Sequence, residues 1–531
     1  MAYYKDIREF IKALEEHDKL LRVTREINKD TELMPLVRWQ FRGLREEQRK
    51  AFLFENVVDV KGRKFKGTSL VGAHGASGEI YAMGMMCKPE EIMEKWAWAQ
   101  SHPIAPRMVA EGPCQEEIHV GKGLLEHGGL MEFPVPISTP GFDAAPFFSA
   151  SNWVTKDPET GIRNVGNYRA MVKSPTRTGI NCVYPQHVYQ HWDKCRQKGI
   201  PLQAAIVVGV APSIGYVSIT KVPYGVDEYD VAGGIGGEPI ELVKCKTVDI
   251  EVPATSEIII EGEFPTDSIE REGPFGEHTG YIHSQGRRPY FNVTCITHRK
   301  SPVYTAFISQ FPPSESSKIR QISDNAVLYH FLKYTRGIQG IKDVCWHEES
   351  GSWQFVVISM KKAFPPQPWQ ALKGADAMDP QRGKIIIAVD EDIDARDPDS
   401  VIWALCYRMQ PHKDILITMG KSASLDPSSA PPGAPVPPGY QGVDLPTSSI
   451  LIDATRKWDY PPIALPAQEF MEKAKKIWEE LGLPKLSPKV PWYGRSLGNW
   501  AKKFEEEAVL AVKGDYFQTG EKLAKEERSE S

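Results

Sequence analysis

Between residues 147 and 310 the chain changes periodicity, and that change limits its fold more than any other feature. Seven short apolar or alternating runs occur there: SASNWVT, RAMVKS, AAIVVGVA, VSITKV, VDIEVP, SEIIIEGEF and FNVTCITHR. Turn residues separate them, which predicts the strands of an antiparallel sheet or barrel. One helix interrupts the strands, over 185–199. On both sides of this stretch helices and strands alternate. Ile7, Phe10, Ile11 and Leu14 recur at helical spacing, then come strand-like AFLFENV (51–57) and GTSLVGAH (67–74) and helical KPEEIMEKWAWAQ (88–100). Beyond 311, Pro312 and Ser314 precede a helix bearing Ile319, Ile322, Ala326 and Tyr329. WQFVVISM (353–360), KIIIAVDEDI (384–393) and DILITMG (414–420) read as strands, with a helix over 401–409. A Pro/Gly/Ser loop (424–442) follows. Two helices then close the chain, one with Phe470, Ala474, Ile477, Trp478 and Leu481, the other with Trp500, Phe504, Ala508 and Ala511, before a charged, frayed tail. The expected division is an N-terminal α/β domain (1–115), a central mostly β domain (116–310) and a C-terminal α/β domain with terminal helices (311–531). Three domains suit 531 residues at roughly 100–200 residues per domain.

Composition narrows the function. The net charge of −5, from 64 basic and 69 acidic residues, gives no global attraction to nucleic acid or anionic membranes. No segment reaches the roughly 18 apolar residues of a membrane span; the longest, 202–211, suits a buried strand. The start, MAYYKDIREF, holds no apolar stretch, so no secretory leader is expected. The eight cysteines form no C-x-x-C pair. They read as reduced thiols of a cytoplasmic protein, without a zinc or iron–sulfur centre built on them.

Four clusters carry possible chemistry. In R-N-V-G-N-Y-R, Asn164 and Arg169 are five apart, an odd offset that puts them on opposite faces of a strand unless the chain bends. Taken alone, such a pair reads as surface residues at a turn. In P-Q-H-V-Y-Q-H, His187 and His191 share a helix face, but no Glu lies between them as in H-E-x-x-H. A single metal-binding His187 joined by oxygen ligands fits better than a two-histidine zinc site. In G-V-D-E-Y-D-V-A-G-G-I-G-G-E, Asp227, Glu228 and Asp230 precede a glycine-rich turn. Carboxylates suit Mg²⁺ or Mn²⁺, although taken alone the run reads more readily as a solvated hairpin. In E-R-E-G-P-F-G-E-H-T-G, Glu272 and Glu277 flank a turn that can fold two carboxylates together. A shared dry pocket beside an arginine would suit proton transfer; an acidic surface loop is the plain alternative.

In this order and spacing the clusters resemble the UbiD family of reversible decarboxylases, which use prenylated FMN. The resemblance rests on N-x-x-x-x-R (Asn164, Arg169), the Gln186–His187 pair, Glu228 before A-G-x-x-x-G with L-V-K-C at 242–245, and E-G-P-F-G-E from Glu272 to Glu277. It extends from the N-terminal helix to I-D-A-T-R-K-W (452–458).

The resemblance implies an α/β (α+β multidomain) fold whose central, mostly antiparallel domain is a split barrel of flavin-reductase type and holds the cofactor. It implies Asn164, His187 and Glu228 as ligands of Mn²⁺ (or Mg²⁺) bridging to the cofactor phosphate. K⁺ would sit near Ser218, Thr220 and Glu228, and Lys457 would reach a phosphate or stay on the surface. It implies Arg169 steering a carboxylate, Glu277 transferring the proton and Glu272 tuning the cofactor and Arg169, through a covalent substrate adduct with the flavin. The substrate would be an aromatic or α,β-unsaturated carboxylic acid giving CO₂, with Tyr281, His283, Phe307, Phe311 and the segment beyond 412 as pocket candidates. A flavin prenyltransferase would supply the cofactor. The terminal helices and the family suggest a homo-oligomer, a dimer or hexamer. A plain FMN oxidoreductase and an accessory subunit of a multisubunit carboxylase are the competing readings.

Overall fold

The computed structural model describes residues 3–283, 286–422, 425–429, 431 and 446–525. The first helix, Ile7–Glu16, starts where Asp6 accepts the Glu9 N–H and buries Ile7, Phe10, Ile11 and Leu14. Strands Leu20–Asn28, Ala51–Val58 and Thr68–Val71 follow, and a fourth, Val303–Ala306, completes their sheet from far along the chain. Val303–Ala306 runs parallel to Thr68–Val71, pairing Val303 with Thr68 and Ala306 with Val71.

The central sheet has nine strands, antiparallel throughout, curled into a half-barrel. At its middle, Leu202–Val208 lies between Asn152–Lys156 and Ile258–Phe264. A register shift between Glu261 and Gly262, opposite Cys295 and Val293, adds twist there. Ala204, Ile206 and Val208 face one hydrophobic core, and Ala205 and Val207 face another, as period-two alternation requires. The first core also takes in Ile7, Phe54 and Leu70, so the N-terminal sheet and the half-barrel share an interior.

Two expectations in this stretch need correction. VSITKV (217–222) forms no strand: Pro212 starts the helix Pro212–Val217, every residue of which is buried, and the chain then turns. The glycine-rich run after Glu228 is neither turn nor hairpin but the helix Glu228–Gly236. Asp227 caps it by accepting the Tyr229 N–H, and Gly237, at φ +75°, ends it. The glycines let this helix press on another backbone. A Cβ at Gly233 would stand 2.5 Å from the Ile104 carbonyl oxygen, and one at Gly234 would stand 2.7 Å from that of His102.

The C-terminal unit is a five-stranded mixed sheet, in the order Ile341–Trp346, Phe355–Met360, Ile385–Asp390, Pro446–Ala454 and Ile415–Ser422. Apolar side chains cover both faces. The helix Glu315–His330, capped by Ser314, packs against it. Most of the proline-rich run 424–442 lies outside the described residues. Beyond it the expected pair of terminal helices is three: Gln468–Glu480, Lys502–Val512 and Tyr516–Lys525. Trp500 precedes the second, and the third takes in the start of the stretch read as a frayed tail, whose last residues, 526–531, are outside the described set. None of the three helices has a buried residue. The eight cysteines are unpaired, and among the described residues no helix is long and apolar enough to cross a membrane.

Candidate active site

Asn164 and Arg169 lie on either side of a bend. Asn164 sits in the strand Arg163–Asn167, the next strand is Ala170–Ser174, and Arg169 falls in the break between them. The break is fixed at Tyr168, whose carbonyl accepts the Trp153 indole N–H at 2.8 Å and the Ser151 hydroxyl at 2.5 Å. Its ring folds back over Gly166, where a Cβ would stand 2.4 Å from it. The odd spacing therefore delivers Asn164 to one group of residues and Arg169 to another.

Around Asn164 the helix His187–Lys198 and the helix Glu228–Gly236 each present their first residue. His187 Nδ1 lies 3.1 Å from Asn164 Oδ1, and Glu228 Oε2 accepts the Val165 N–H at 2.7 Å. Asn164 and Glu228 are buried, and the Asn164 amide nitrogen has no hydrogen-bond partner. Burial pushes the Glu228 carboxyl up to about 8. Burial and the Lys221 ammonium lower the His187 imidazole below its usual range, leaving it a neutral donor. An amide, a neutral imidazole and a carboxylate short of positive partners fit a hard divalent cation, which would restore the charge that burial opposes. His191, one turn on, belongs elsewhere: its Nδ1 lies 2.9 Å from the Thr155 hydroxyl inside the core. Gln186 precedes the helix and spends its side-chain oxygen on the Val183 N–H.

Ser218 and Thr220 run beside this group, the Ser218 carbonyl accepting the Asn167 N–H at 2.8 Å. Their hydroxyls turn back to Gly215 and Tyr216. Lys457 lies on the C-terminal unit, where its ammonium donates to the Asp453 and Thr455 carbonyls and pairs with the Asp453 and Asp414 carboxylates.

Around Arg169 the two glutamates converge. Glu272 takes the guanidinium bidentately, at 3.1 Å from Nε and 2.7 Å from Nη2. Glu277 Oε1 pairs with Nη1. All three side chains are about nine-tenths buried. The intervening G-P-F-G explains how five residues bring both acids to one cation. Gly273 and Gly276 pack where a Cβ would strike Ala144 and Gln310 at 2.4 and 2.6 Å, and the Phe275 ring lies 5.1 Å under Arg169. The segment folds back on itself, pairing Phe275 with His283 and Gly276 with Ile282, and the Glu277 N–H donates to the Tyr281 carbonyl.

The sequence reading missed three neighbours. Tyr168 lies between Asn164 and Arg169 in the chain, and burial keeps its hydroxyl protonated. Phe275, inside the G-P-F-G turn, lies under the Arg169 guanidinium. His278 stands 3.9 Å from Glu277 Oε2; burial, then Arg320, Arg382 and Arg169, hold it well below its usual range. Their aromatic and imidazole character was visible, but their partners come from other segments. Of the pocket candidates, Phe307 is core packing against His74, while Tyr281 and Phe311 are exposed beside the Glu277 turn, Phe311 against Gly280.

Residues 107–312 match the model of the 3-octaprenyl-4-hydroxybenzoate carboxy-lyase Rift-related domain, and 319–454 match that of the same enzyme's C-terminal domain. The UbiD-class enzyme HmfF from Pelotomaculum thermopropionicum, solved in complex with FMN, is 30% identical; the match covers 88% of this chain and 99% of that one at a TM-score of 0.76. The vanillic acid decarboxylase of Sedimentibacter hydroxybenzoicus is 26% identical over 91% and 100% of the two chains, also at 0.76. A protein of Synechocystis sp. is 31% identical across 90% of this chain and 96% of its own length. With both family domains matched in order and full-length structural agreement, the chain belongs to the UbiD family of (de)carboxylases.

Proposed function

We propose that this protein catalyses reversible, non-oxidative decarboxylation of an aromatic or α,β-unsaturated carboxylic acid, using prenylated FMN held through Mn²⁺ (or Mg²⁺), with K⁺ beside it. The observation that carries the reading is one buried arginine shared by two glutamates, next along the chain from a cation-poor Asn–His–Glu group. HmfF has been solved with prenylated FMN and with FMN, and the Sedimentibacter relative acts on vanillic acid, which supports both the cofactor and the substrate class.

Asn164, His187 and Glu228 would hold the divalent ion and, through it, the cofactor phosphate. Carbonyl oxygens near Ser218 and Thr220 would serve K⁺. The modified flavin, when bound, supplies the electron sink that carbon dioxide loss demands and that no side chain provides. Arg169 orients the substrate carboxylate by charge-assisted hydrogen bonds. Glu272 locks the guanidinium in its plane. Glu277 now occupies one edge of Arg169; an incoming carboxylate competes for that edge and leaves Glu277 more basic. Glu277 then carries a proton and delivers it to the carbon that lost carbon dioxide, and in the carboxylation direction it removes that proton. All three residues are present and paired, as a catalytic subunit requires. A cytoplasmic homo-oligomer loaded by a flavin prenyltransferase completes the reading.

The test is co-expression with a flavin prenyltransferase, followed by assay of aryl and acrylic acids for carbon dioxide release and solvent-deuterium incorporation. Flavin absorbance, bound manganese and deuterium at the vacated carbon are expected. Colourless, metal-free protein would overturn the proposal, as would turnover only with NAD(P)H and plain FMN.

A further inference from the structure

A second cluster of ligand-type side chains lies outside the residues described so far. The strand Glu117–Val120 pairs antiparallel with the end of Tyr290–His298, setting His119 opposite Ile296 and Glu117 opposite His298. His298 is two residues from Ile296, so it projects from the same face as His119. Their rings are 5.0 Å apart at 75°. The chain continues through the short helix Lys122–Glu126 to His127 and a turn of 3-10 helix, Gly129–Glu132, which returns Glu132 between the two rings. Glu132 Oε2 lies 3.0 Å from His119 Nδ1, and Oε1 lies 3.5 Å from His298 Nε2. His127 stacks on His119 with centroids 3.8 Å apart. One ligand atom from each of His119, His127 and Glu132 falls within 4.8 Å of the others.

The side chains of His119 and His298 are only 6% and 7% exposed, and both face the one carboxylate of Glu132. His298 Nε2 has no hydrogen-bond partner, while Nδ1 lies 2.8 Å from the Arg299 carbonyl oxygen. That second contact fixes the ring and directs Nε2 inward, the arrangement by which outer partners orient metal-binding histidines. We propose that His119, His127, Glu132 and His298 form a second metal site, selective for a zinc-class divalent ion. Three imidazoles and one carboxylate suit zinc better than the harder ion expected at Asn164. The carboxylate–imidazole separations are already close to the about 3.3 Å between neighbouring ligands of a tetrahedral ion bound at ~2.0–2.1 Å. Closure needs His127, which is exposed, to swing off His119 and turn a nitrogen inward; its exposure is also the way in for the ion. The bound ion would pin the 117–132 segment to the sheet.

The experiment uses the full chain stripped of metal by chelator and titrated with Zn²⁺ or Co²⁺. In a His187→Ala background, where the Asn164 group is disabled, one equivalent should still bind, Co²⁺ should show the visible bands of a tetrahedral site, and Zn²⁺ should raise the melting temperature. Adding His127→Ala, at an exposed position that folding does not depend on, together with Glu132→Gln should abolish that equivalent and its spectrum. In otherwise unaltered protein, His127→Ala alone should lower the zinc stoichiometry by one. The proposal is overturned if the His187→Ala protein binds no metal, or if stoichiometry and spectrum survive the His127 and Glu132 changes.

Discussion

Glu277 and Arg169 are in contact before any substrate arrives, and the chemistry turns on that pair. Glu277→Gln keeps the volume and the hydrogen bonding but has no proton to give. Asn164, His187 and Glu228 are untouched, so metal and flavin should stay bound while turnover falls by about 10²–10⁴-fold. Turnover at the wild-type rate, or loss of metal and flavin, would remove Glu277 from the proton-transfer role. A different residue contributes to the acid sensitivity of the fold. His74 is buried against Phe307 and Tyr216, and burial alone pulls its imidazole from 6.5 down to about 4. Between those values the unfolded chain takes up a proton that the folded one refuses. Stability is therefore full above 6.5 and declines as pH falls toward 4, by about 2 kcal/mol on going from about pH 7 to about pH 5. His74→Leu should lose most of that decline, read as the urea midpoint at the two pH values; an equal decline in both proteins would contradict it. At this scale the sequence was legible where chemistry is carried by rare residue types in fixed order, as in E-G-P-F-G-E. It was silent on partners: nothing near Glu277 in sequence announces that burial, with Arg320 and Arg382 nearby, keeps the adjoining His278 neutral.

Elements differ in how openly they declare themselves. Strands such as Leu202–Val208 and Ile258–Phe264 were plain because a short, nearly continuous apolar run suits a strand buried on both faces. The helix Glu228–Gly236 was hidden because glycine is read as punctuation. Here the missing Cβ serves interhelical contact instead, letting the helix approach the carbonyls of Ala99, His102 and Ile104 and so fixing where Glu228 points. Gly233→Ala places a methyl 2.5 Å from the Ile104 oxygen. It should cost about 1–3 kcal/mol and displace the helix start. Both melting temperature and manganese content should fall, and a variant retaining both would show that the close approach is not what positions Glu228. VSITKV misled for the converse reason: its alternation is real, but Pro212 starts a helix that absorbs its first residue, and a turn takes the rest.

On the scale of the whole molecule, the terminal arm stands out. Its three helices have no fully buried residue, and Phe517 and Leu481 remain 71% and 68% exposed. The edge strand Ile415–Ser422 also leaves Ile417 and Met419 uncovered. Apolar surface of this extent needs a partner, and exchange of arms between copies would cover it. Removing residues 466–531 should convert the oligomer to a monomer by light scattering and leave the flavin site formed; an unchanged mass, or a full-length monomer at micromolar concentration, would rule the arm out as the joint. The tryptophan-bearing helices were visible in the sequence, but nothing in it signalled the long return by which Val303–Ala306 closes the first sheet. That return sets a timetable for synthesis. While the ribosome is still making everything between Val71 and Val303, the emerging N-terminus holds three strands with an open edge and an interior whose other half has yet to be translated. A message truncated before codon 303 would release a client for chaperones and proteases, because the beginning of this protein waits on its middle to become folded.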